Sequence, residues 1–450
     1  YTPIKIKTKT DLLSASPDMH YMLTENINFN GEWKLPSDSS VFSGSIDGNG
    51  FSIKNITIPF SDTSNSYSLF GTSNEGIIRN LTIDNIKAET ADFSAVLFGS
   101  NYGIIENCTI NGKISSYRVK SPVYCGIFAA INYGTIDNCD AKVDIYINAN
   151  LSTAGGICAH NEGFINNCSF SGITKIYSNS LSSSSSFGGI AGLNNEGFIY
   201  NCASDINLEI NSNKSYTGGI CGILNSGEIF KTSSFGKIKV NENGELLSES
   251  AAYTGGICGL SQAGLLVDSL SQTEINTNAL MNYSGGISGY NTFSNIQNTY
   301  SLSSIYQKSI NTSFFPGSSL YAGGICGFNE SGFISENVSL GSPVSSSGYV
   351  KKISNAASEE YLNNNYALDD IIADRIENAQ NGLSISKFDI KNKNFFFMPI
   401  YKNGKLGWSS EEEDGENAVW FINSDNRGYF LPLLKDVKLQ NLFSVPKNLK

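Results

Sequence analysis

Apolar positions recur in pairs along the central part of the chain. In nine copies between about residues 66 and 342, one apolar residue is followed eight or nine positions later by a second one. The first members are Leu69, Leu97, Ile127, Ile157, Ile190, Ile220, Ile257, Ile287 and Ile325. The second members are Ile78, Ile105, Ile136, Ile165, Ile199, Ile229, Leu266, Ile296 and Ile334. Successive copies start 28 to 38 residues apart, and a period of this size is typical of stacked structural repeats.

The segment between the paired apolar positions predicts two short strands joined by a turn. A glycine occupies the turn in eight of the copies, which predicts a positive φ angle there. These glycines are Gly76, Gly103, Gly134, Gly163, Gly197, Gly227, Gly264 and Gly332.

A third strand is expected after each pair. The segments Asp140–Ile147 and Ser204–Ile210 alternate polar and apolar residues with period two, so each has one face turned inward. Three short strands per copy, with copies stacked about 4.8 Å apart, describe a parallel β-helix. We therefore predict an all-β chain that forms a single right-handed parallel β-helix of about a dozen rungs.

A column of asparagines is expected at the corner before the third strand, since Asn tolerates the left-handed conformation and stacked amides can bond along the axis. Its members are Asn80, Asn107, Asn138, Asn167, Asn201 and Asn298. Lys231, Asp268 and Glu336 interrupt this column in the later copies. The corner is predicted to be less regular at those three positions.

The chain divides into three predicted regions. Residues 1–65 are expected to form N-terminal entry rungs and a cap, residues 66–342 the repeats, and residues 343–450 a small mixed C-terminal cap. An open end of a β-helix exposes strand edges, so a cap is physically required. The predicted parts of the C-terminal cap are a helix around Asp369–Asn378 and aromatic strands at Lys405–Trp408, Val419–Ile422 and Tyr429–Leu434. We interpret Trp408 and Trp420 as core or cap residues.

Insertions between copies share one place, just ahead of the Gly–Gly step. They are Ser178–Ser186, Asn241–Tyr253 and Gln307–Tyr321. Insertions in a solenoid project from one side and often carry its binding face. The third insertion contains Phe314, Phe315 and Tyr321, which are our candidate ligand-binding residues.

Composition restricts the classes of partner. The 450 residues include 44 glycines, only 16% are charged, and the net charge is −11. The charged share lies below the roughly 25% of an average chain, which favours an extracellular β-solenoid. The negative charge disfavours nucleic acids and anionic membranes as partners, and no apolar run reaches the ~20 residues needed for membrane insertion. No cofactor is predicted.

Nine cysteines occur, and eight of them fall at two repeated positions. In-register rungs would hold equivalent Cβ atoms about 4.8 Å apart, beyond the ~3.8 Å that a disulfide prefers. We therefore predict buried, reduced thiols rather than disulfides or a metal site.

The copies resemble GLUG repeats. The resemblance rests on the pattern Gly–Gly–Ile–Cys–Gly, then Asn–x–Gly, then Ile–x–Asn–Cys, and covers about residues 42–434. The ending strengthens it, with Leu406–Trp408, Trp420 and Gly428–Leu434 similar to the Trp…Gly–Tyr–Pro–Leu ending of such proteins. The resemblance implies a secreted or surface-anchored bacterial protein. Relatives of this kind include adhesin-like proteins and non-catalytic regions of IgA-specific metallopeptidases.

Few residues suggest catalysis. His20 and His160 are the two histidines, neither belongs to an H-E-x-x-H motif, and His160 is interpreted as a solvated turn residue. The nearest approach to a catalytic carboxylate face is Asp137, Asp140 and Asp144.

We predict a secreted or cell-surface adhesion or stalk module. Its partner would be a host or extracellular glycan or protein, bound by many weak contacts along a rigid face. The first alternative is a polysaccharide-cleaving lyase or hydrolase on the same scaffold. The second is a structural protomer of an extracellular filament that associates end to end, because the ends of a β-helix are latent strand edges.

Overall fold

The computed structural model describes most of the chain. The described residues are 2–33, 41–59, 68–90, 93–118, 122–178, 183–241, 250–309, 319–346, 348–369, 378–392, 394–397, 406, 408, 418–424, 430–446 and 449. They form a solenoid of short parallel strands, so the fold prediction is confirmed. Equivalent strands of successive rungs stack into four sheets, which we number I to IV in the order in which a rung passes through them.

Sheets I and II lie on either side of the Gly–Gly step. The strands of sheet I are Phe93–Ser94, Val123–Cys125, Leu151–Gly155, Ser184–Gly188, Lys214–Gly218, Ala251–Gly255, Met281–Gly285, Ser319–Gly323 and Tyr349–Lys351. The strands of sheet II are Val41–Phe42, Gly71–Asn74, Phe98–Asn101, Ala129–Asn132, Cys158–Asn161, Ala191–Asn195, Cys221–Asn225, Cys258–Gln262, Ser288–Thr292, Cys326–Asn329 and Ser354–Ala356.

Sheets III and IV complete each rung. The strands of sheet III are Ile4–Ile6, His20–Leu23, Ser45–Asp47, Ile77–Arg79, Ile104–Glu106, Thr135–Asp137, Phe164–Asn166, Phe198–Tyr200, Glu228–Phe230, Leu265–Val267, Asn295–Gln297, Ile334–Ser335 and Leu362–Asn363. The strands of sheet IV are Ile27–Glu32, Ser52–Ile58, Thr82–Thr90, Thr109–Arg118, Asp140–Ala149, Ser169–Tyr177, Ala203–Asn211, Ser233–Asn241, Leu270–Asn278, Tyr300–Ser301, Ser304–Lys308, Val338–Ser339, Ser342–Ser345, Tyr366–Leu368 and Leu383–Ile385.

A full rung contains four strands, one more than predicted. The additional strand is that of sheet I, which in three rungs overlaps a predicted insertion. Ser184–Gly188, Ala251–Gly255 and Ser319–Gly323 form the ends of the three inserted segments and pair in parallel with their neighbours. Their sequences are short and rich in Ser, Ala and Gly, with one aromatic residue each at Phe187, Tyr253 and Tyr321, so the alternation of large apolar residues that signals a strand is weak.

The turn glycines serve a different purpose from the one predicted. Positive φ among the described glycines is found at Gly50, Gly71, Gly112, Gly236 and Gly382, and none of these is a turn glycine. A Cβ atom on Gly134 would lie 2.2 Å from the carbonyl oxygen of Gly103 in the previous rung. The turns therefore require glycine because neighbouring backbones approach so closely, and the prediction of positive φ was wrong.

Two asparagine ladders support the turns, one between sheets III and IV and the other between sheets II and III. At the predicted corner, the Asn138 side chain donates to Asn107 over 2.8 Å and Asn107 donates to Asn80 over 3.3 Å. A second, fully buried ladder links the ends of five sheet II strands through hydrogen bonds of 2.7 to 2.8 Å between side-chain amides. Its members are Asn74, Asn101, Asn132, Asn161 and Asn194.

The corner stays regular where the asparagines are replaced. Lys231, Asp268 and Glu336 have φ angles of 56°, 50° and 59°, close to the 48° of Asn138. The prediction of an irregular corner was therefore wrong, because a backbone hydrogen bond to the following rung holds each of these residues in the same conformation. Lys231 donates its backbone N–H to Val267, and Asp268 donates to Gln297.

The core is a single column of apolar side chains along the axis. Ile157, Ile190 and Ile220 are fully buried and joined by backbone hydrogen bonds of 2.9 to 3.0 Å between rungs. All nine cysteines are buried and unpaired with one another, as predicted.

The ends of the chain carry the little helix in the described residues. The helix Lys9–Leu13 follows the first strand and is closed by a capping box between Thr8 and Asp11. The later helical segments are Asn394–Phe397 and the 3₁₀ turns Glu359–Tyr361, Asp389–Lys391 and Gln440–Leu442. Trp420–Ser424 and Phe430–Leu434 pair as an antiparallel hairpin, and most of the predicted helix around Asp369–Asn378 lies outside the described residues.

Candidate binding surface

A row of tyrosines runs along the outer face of sheet I. Tyr216, Tyr253, Tyr283, Tyr321 and Tyr349 occupy equivalent positions on five successive strands. Their ring centroids are separated by 5.0, 5.1, 5.4 and 5.4 Å, and neighbouring ring planes deviate by 8° to 15°. Parallel pairing in exact register places these rings on one another, so the row follows the axis of the solenoid.

Sheet II supplies two more aromatic residues that face this row. The ring of Tyr290 lies 5.1 Å from that of Tyr283 and 5.7 Å from that of Tyr253. Phe328 lies 5.0 Å from Tyr321 and stacks on Tyr290 at 5.6 Å. The outer faces of sheets I and II therefore meet at a concave corner, which is lined by aromatic side chains. We call this set of seven residues the aromatic corner.

Glycines let the two sheets approach closely enough to form that angle. A Cβ atom on Gly259 would lie 2.4 Å from the backbone nitrogen of Thr217, and one on Gly289 would lie 2.4 Å from that of Thr254. Each of these glycines is the last residue of a Gly–Gly–Ile–x–Gly motif. The motif thus packs a strand of sheet II directly on the sheet I strand of the previous rung.

The environment of the aromatic corner favours the neutral form of Tyr253, Tyr283 and Tyr290. Burial raises the pKa of Tyr283 to about 12 and also raises the pKa of Tyr253. Burial and a nearby Glu330 carboxylate raise the pKa of Tyr290 as well. The ammonium group of Lys214 lies 5.5 Å from the ring centroid of Tyr216, at the N-terminal end of the row. These phenols can therefore both donate and accept hydrogen bonds.

The row remains open to solvent. Tyr216, Tyr253, Tyr283 and Tyr321 are half-buried, and Tyr349 is 64% exposed. In the described part of the chain, no side chain hydrogen-bonds to the hydroxyls of Tyr253, Tyr283 or Tyr321. The aromatic corner thus offers apolar area together with hydroxyl groups that have no partner among those residues.

One predicted binding residue, Tyr321, belongs to the aromatic corner, whereas Phe314 and Phe315 lie outside the described residues. Sequence reasoning missed the other members. A signal was present, since the pattern Tyr–small–Gly–Gly occurs at Tyr216, Tyr253, Tyr283 and Tyr321. It would have placed four tyrosines at one repeat position.

The candidate carboxylates are engaged in structural contacts. Asp137 lies on sheet III and accepts a hydrogen bond of 2.9 Å from Asn166. On sheet IV, Asp144 accepts from the backbone nitrogen of Ile173 over 2.9 Å. Asp140 accepts from the hydroxyl of Ser169 and pairs with Lys438 at 2.8 Å. Each contact is to a neighbouring rung or the C-terminal segment, which favours the structural interpretation of this face.

His160 lies on the sheet II strand Cys158–Asn161, so the prediction that it occupies a solvated turn was wrong. Its side chain is only 18% exposed, with Nε2 3.1 Å from a carboxylate oxygen of Glu162. Burial lowers the pKa of His160, and Glu162 opposes that effect. Asn161, the first residue of this Asn–x–Gly turn, lies four positions after Ile157, and the strand runs through His160 as far as Asn161.

No metal site was found among the described residues. They contain no group of three or more His, Cys, Asp or Glu side chains close enough to hold a metal ion together. Within the same residues, no helix has the length and apolar character needed to cross a membrane.

Comparison with known proteins gives limited information. No protein-family model matches the chain, so the resemblance to GLUG repeats stays a prediction. Halomucin from Haloquadratum walsbyi is 32% identical over 115 residues, which cover 23% of this chain and 1% of halomucin. A Bacteroides ovatus crystal structure, described as that of a candidate immunoglobulin A1 protease, is 14% identical with a TM-score of 0.30, covering 96% of this chain and 92% of the other. That TM-score is too low to support an inference about fold or function.

Proposed function

We propose that this chain is the binding module of a secreted or cell-surface β-solenoid, and that its ligand contacts the aromatic corner. The observation that carries this proposal is the partly exposed row of five tyrosines, widened by Tyr290 and Phe328. Tyrosine contributes a large contact area at a small entropic cost, and it is enriched where proteins bind partners.

The scaffold suits a role in adhesion. The rungs from Lys214 to Lys308 are joined by parallel backbone hydrogen bonds in all four sheets, so most of the row is held on a rigid frame. A rigid row can engage a repetitive or extended ligand at several points at once, and linked weak contacts add to a high overall affinity. The extracellular location is supported by the low charged fraction of the sequence and by the GLUG resemblance.

A paired variant tests this proposal. The Tyr283→Ala/Tyr290→Ala variant removes the middle of the aromatic corner, and the matched control Tyr102→Ala/Tyr133→Ala removes a stacked pair, 4.7 Å apart, on another side of the solenoid. Both proteins and the wild type would be applied to arrays of glycans and extracellular-matrix proteins. We expect the first variant to lose at least about tenfold in affinity for any ligand found, since buried aromatic contacts dominate such surfaces. Equal binding by the wild type and the first variant would contradict the proposal. Thermal unfolding of each variant checks that the fold is kept.

A further inference from the structure

The distance between successive tyrosine rings restricts which kind of ligand can follow the row. Four successive centroid distances of 5.0 to 5.4 Å repeat along the axis with little variation. An extended peptide presents side chains on one face about every 6.6 Å, so it would fall out of register within about two rungs. One sugar unit of an extended pyranose chain has nearly the length of one rung. A linear polysaccharide laid along the axis would therefore keep its register over the whole row.

The orientation of the rings determines what the ligand meets. Because neighbouring ring planes deviate by only 8° to 15°, the faces of the inner tyrosines cover one another. The row therefore presents ring edges and hydroxyl groups outward. Among the described residues, the two end members Tyr216 and Tyr349 each stack on one tyrosine only, and Tyr349 is 64% exposed. The row therefore offers mainly hydrogen bonding by the hydroxyl groups, and stacking of a sugar on a ring face is confined to the ends of the row.

The charges around the aromatic corner favour a neutral ligand. The chain carries a net charge of −11, which opposes the approach of a polyanion. Glu330 lies beside Tyr290, Lys214 sits over the ring of Tyr216 at one end of the row, and Lys351 follows Tyr349 on the strand at the other end. On the five described strands that carry the tyrosines, the cations are Lys214 in the first strand and Lys351 in the last, so these strands carry no continuous line of cations along the row of the kind that an acidic polysaccharide would require.

We infer that the tyrosine row binds a neutral, linear polysaccharide that lies along the solenoid axis, with one sugar unit per rung and its hydroxyls bonded to the phenols. This inference rests on the proposed binding function and adds the ligand class and the mode of contact.

The first test uses affinity electrophoresis in gels that contain hydroxyethylcellulose, glucomannan, arabinoxylan or the acidic comparator polygalacturonate. We expect retardation by at least one of the three neutral polymers, unchanged by added sodium chloride because the interaction is uncharged. Stronger retardation by polygalacturonate than by every neutral polymer would overturn the inference, as would the absence of retardation in all four gels.

The decisive variant is Tyr253→Phe/Tyr283→Phe/Tyr321→Phe. It keeps the stacked rings and removes three hydroxyls, so affinity for the neutral polymer should fall on the order of 100-fold. The control Tyr102→Phe/Tyr133→Phe removes two hydroxyls from the other stacked pair and should bind like the wild type. If the triple variant binds as tightly as the wild type while Tyr283→Ala/Tyr290→Ala does not bind, the hydroxyl mechanism is overturned and the proposed binding function stands.

Two further outcomes separate the inference from the proposed function. Binding of a protein on the array, lost in Tyr283→Ala/Tyr290→Ala, without binding of any neutral polymer would overturn the polysaccharide inference alone. Unchanged binding of every ligand by both variants would overturn the inference and the proposed function together. Titration calorimetry with cello-oligosaccharides of increasing length then measures the register, since affinity should rise with each added unit until the five tyrosines are occupied.

Discussion

The corner between sheets III and IV is built in two ways along the same molecule. In the earlier rungs it consists of Asn80, Asn107 and Asn138, whose side-chain amides form hydrogen bonds with one another at the surface. In the later rungs Lys231 and Asp268 occupy the same position with the same left-handed backbone. The later part contacts buried tryptophans of the C-terminal segment, whereas the earlier part meets that segment through the partly exposed Lys438–Asp140 pair.

Contacts from the C-terminal segment follow the replaced positions. The indole N–H of Trp420 donates to the carboxylate of Asp268 over 3.2 Å, and that of Trp408 donates to the carbonyl oxygen of Glu336 over 3.2 Å. The two indoles stack at 4.8 Å. Both tryptophans are almost completely buried, so they are packing residues as the sequence analysis expected.

The neighbouring outward column of sheet IV changes along with the corner. Its earlier members, Thr109 and Asp140, are polar and partly exposed, whereas Leu270, Tyr300 and Val338 are fully buried. The comparison shows that departures from a repeat can mark where a non-repeating segment docks. Asn suits a solvated left-handed corner, and another residue is tolerated where the covering segment supplies a partner.

Among the variants that test this comparison, Trp420→Ala is expected to change the free energy of unfolding the most. Removing a fully buried indole from the covered corner should lower the free energy of unfolding by about 3 to 5 kcal/mol. Phe198→Ala removes an aromatic side chain that is 39% exposed on sheet III and serves as the control. Guanidinium denaturation measures both. A loss with Trp420→Ala no larger than that of the control would mean that the segment contributes little to stability.

The second prediction concerns pH. Burial raises the pKa of Asp268 to about 6, although Trp420 and Lys231 oppose that effect. The folded state therefore holds a proton that the unfolded state releases near the ordinary carboxyl pKa of 3.8. The resulting stabilisation is complete below pH ~4 and is lost as pH rises through ~6, a change of up to about 3 kcal/mol.

The matched variant for this pH effect is Asp268→Asn, which can still accept the Trp420 hydrogen bond and has no charge. Denaturation midpoints between pH 4 and 7 should fall more steeply in the wild type than in this variant. Parallel pH profiles for the two proteins would show that Asp268 does not titrate in this range.

The third prediction addresses the uncovered corner. Asn138→Ala keeps the left-handed backbone conformation but removes the side-chain amide that stabilises it. The substitution also removes the 2.8 Å hydrogen bond from the Asn138 side chain to Asn107. A cost of about 2 kcal/mol is expected. Asn138→Gly relieves the backbone part and should recover about half of that loss. If Gly and Ala destabilise equally, the backbone conformation is not what selects Asn at this corner.

The repeat pattern was sufficient to predict the stacked fold, because the paired apolar positions and the alternation of Asp140–Ile147 both report an inward face. The strand of sheet I escaped prediction because its small residues resemble a loop. The turn glycines were identified, but the reason for them depends on the backbone of a neighbouring rung. Such a contact between rungs has no local sequence signature.

The candidate site was predictable only in part. Tyr321 was named from the aromatic content of one insertion, whereas the row depends on register between five strands. The docking of Trp420 on Asp268 joins residues 152 positions apart. The C-terminal segment occurs once, so no repeat pattern connects it to the rungs that it covers. The sequence could therefore show which corner residues replace Asn but could not show that the C-terminal tryptophans contact them.

The smallest effect is expected at the far end of the covering segment. The Lys438–Asp140 pair, 2.8 Å apart, has side chains that are 27% and 33% exposed, so water and salt screen it. A double-mutant cycle with Lys438→Gln and Asp140→Asn should give a coupling free energy below about 1 kcal/mol that decreases further as salt is added. The segment would then be held mainly by its buried tryptophans and only positioned by this ion pair. A coupling above about 2 kcal/mol that persists in high salt would reverse that order and make the ion pair the principal attachment.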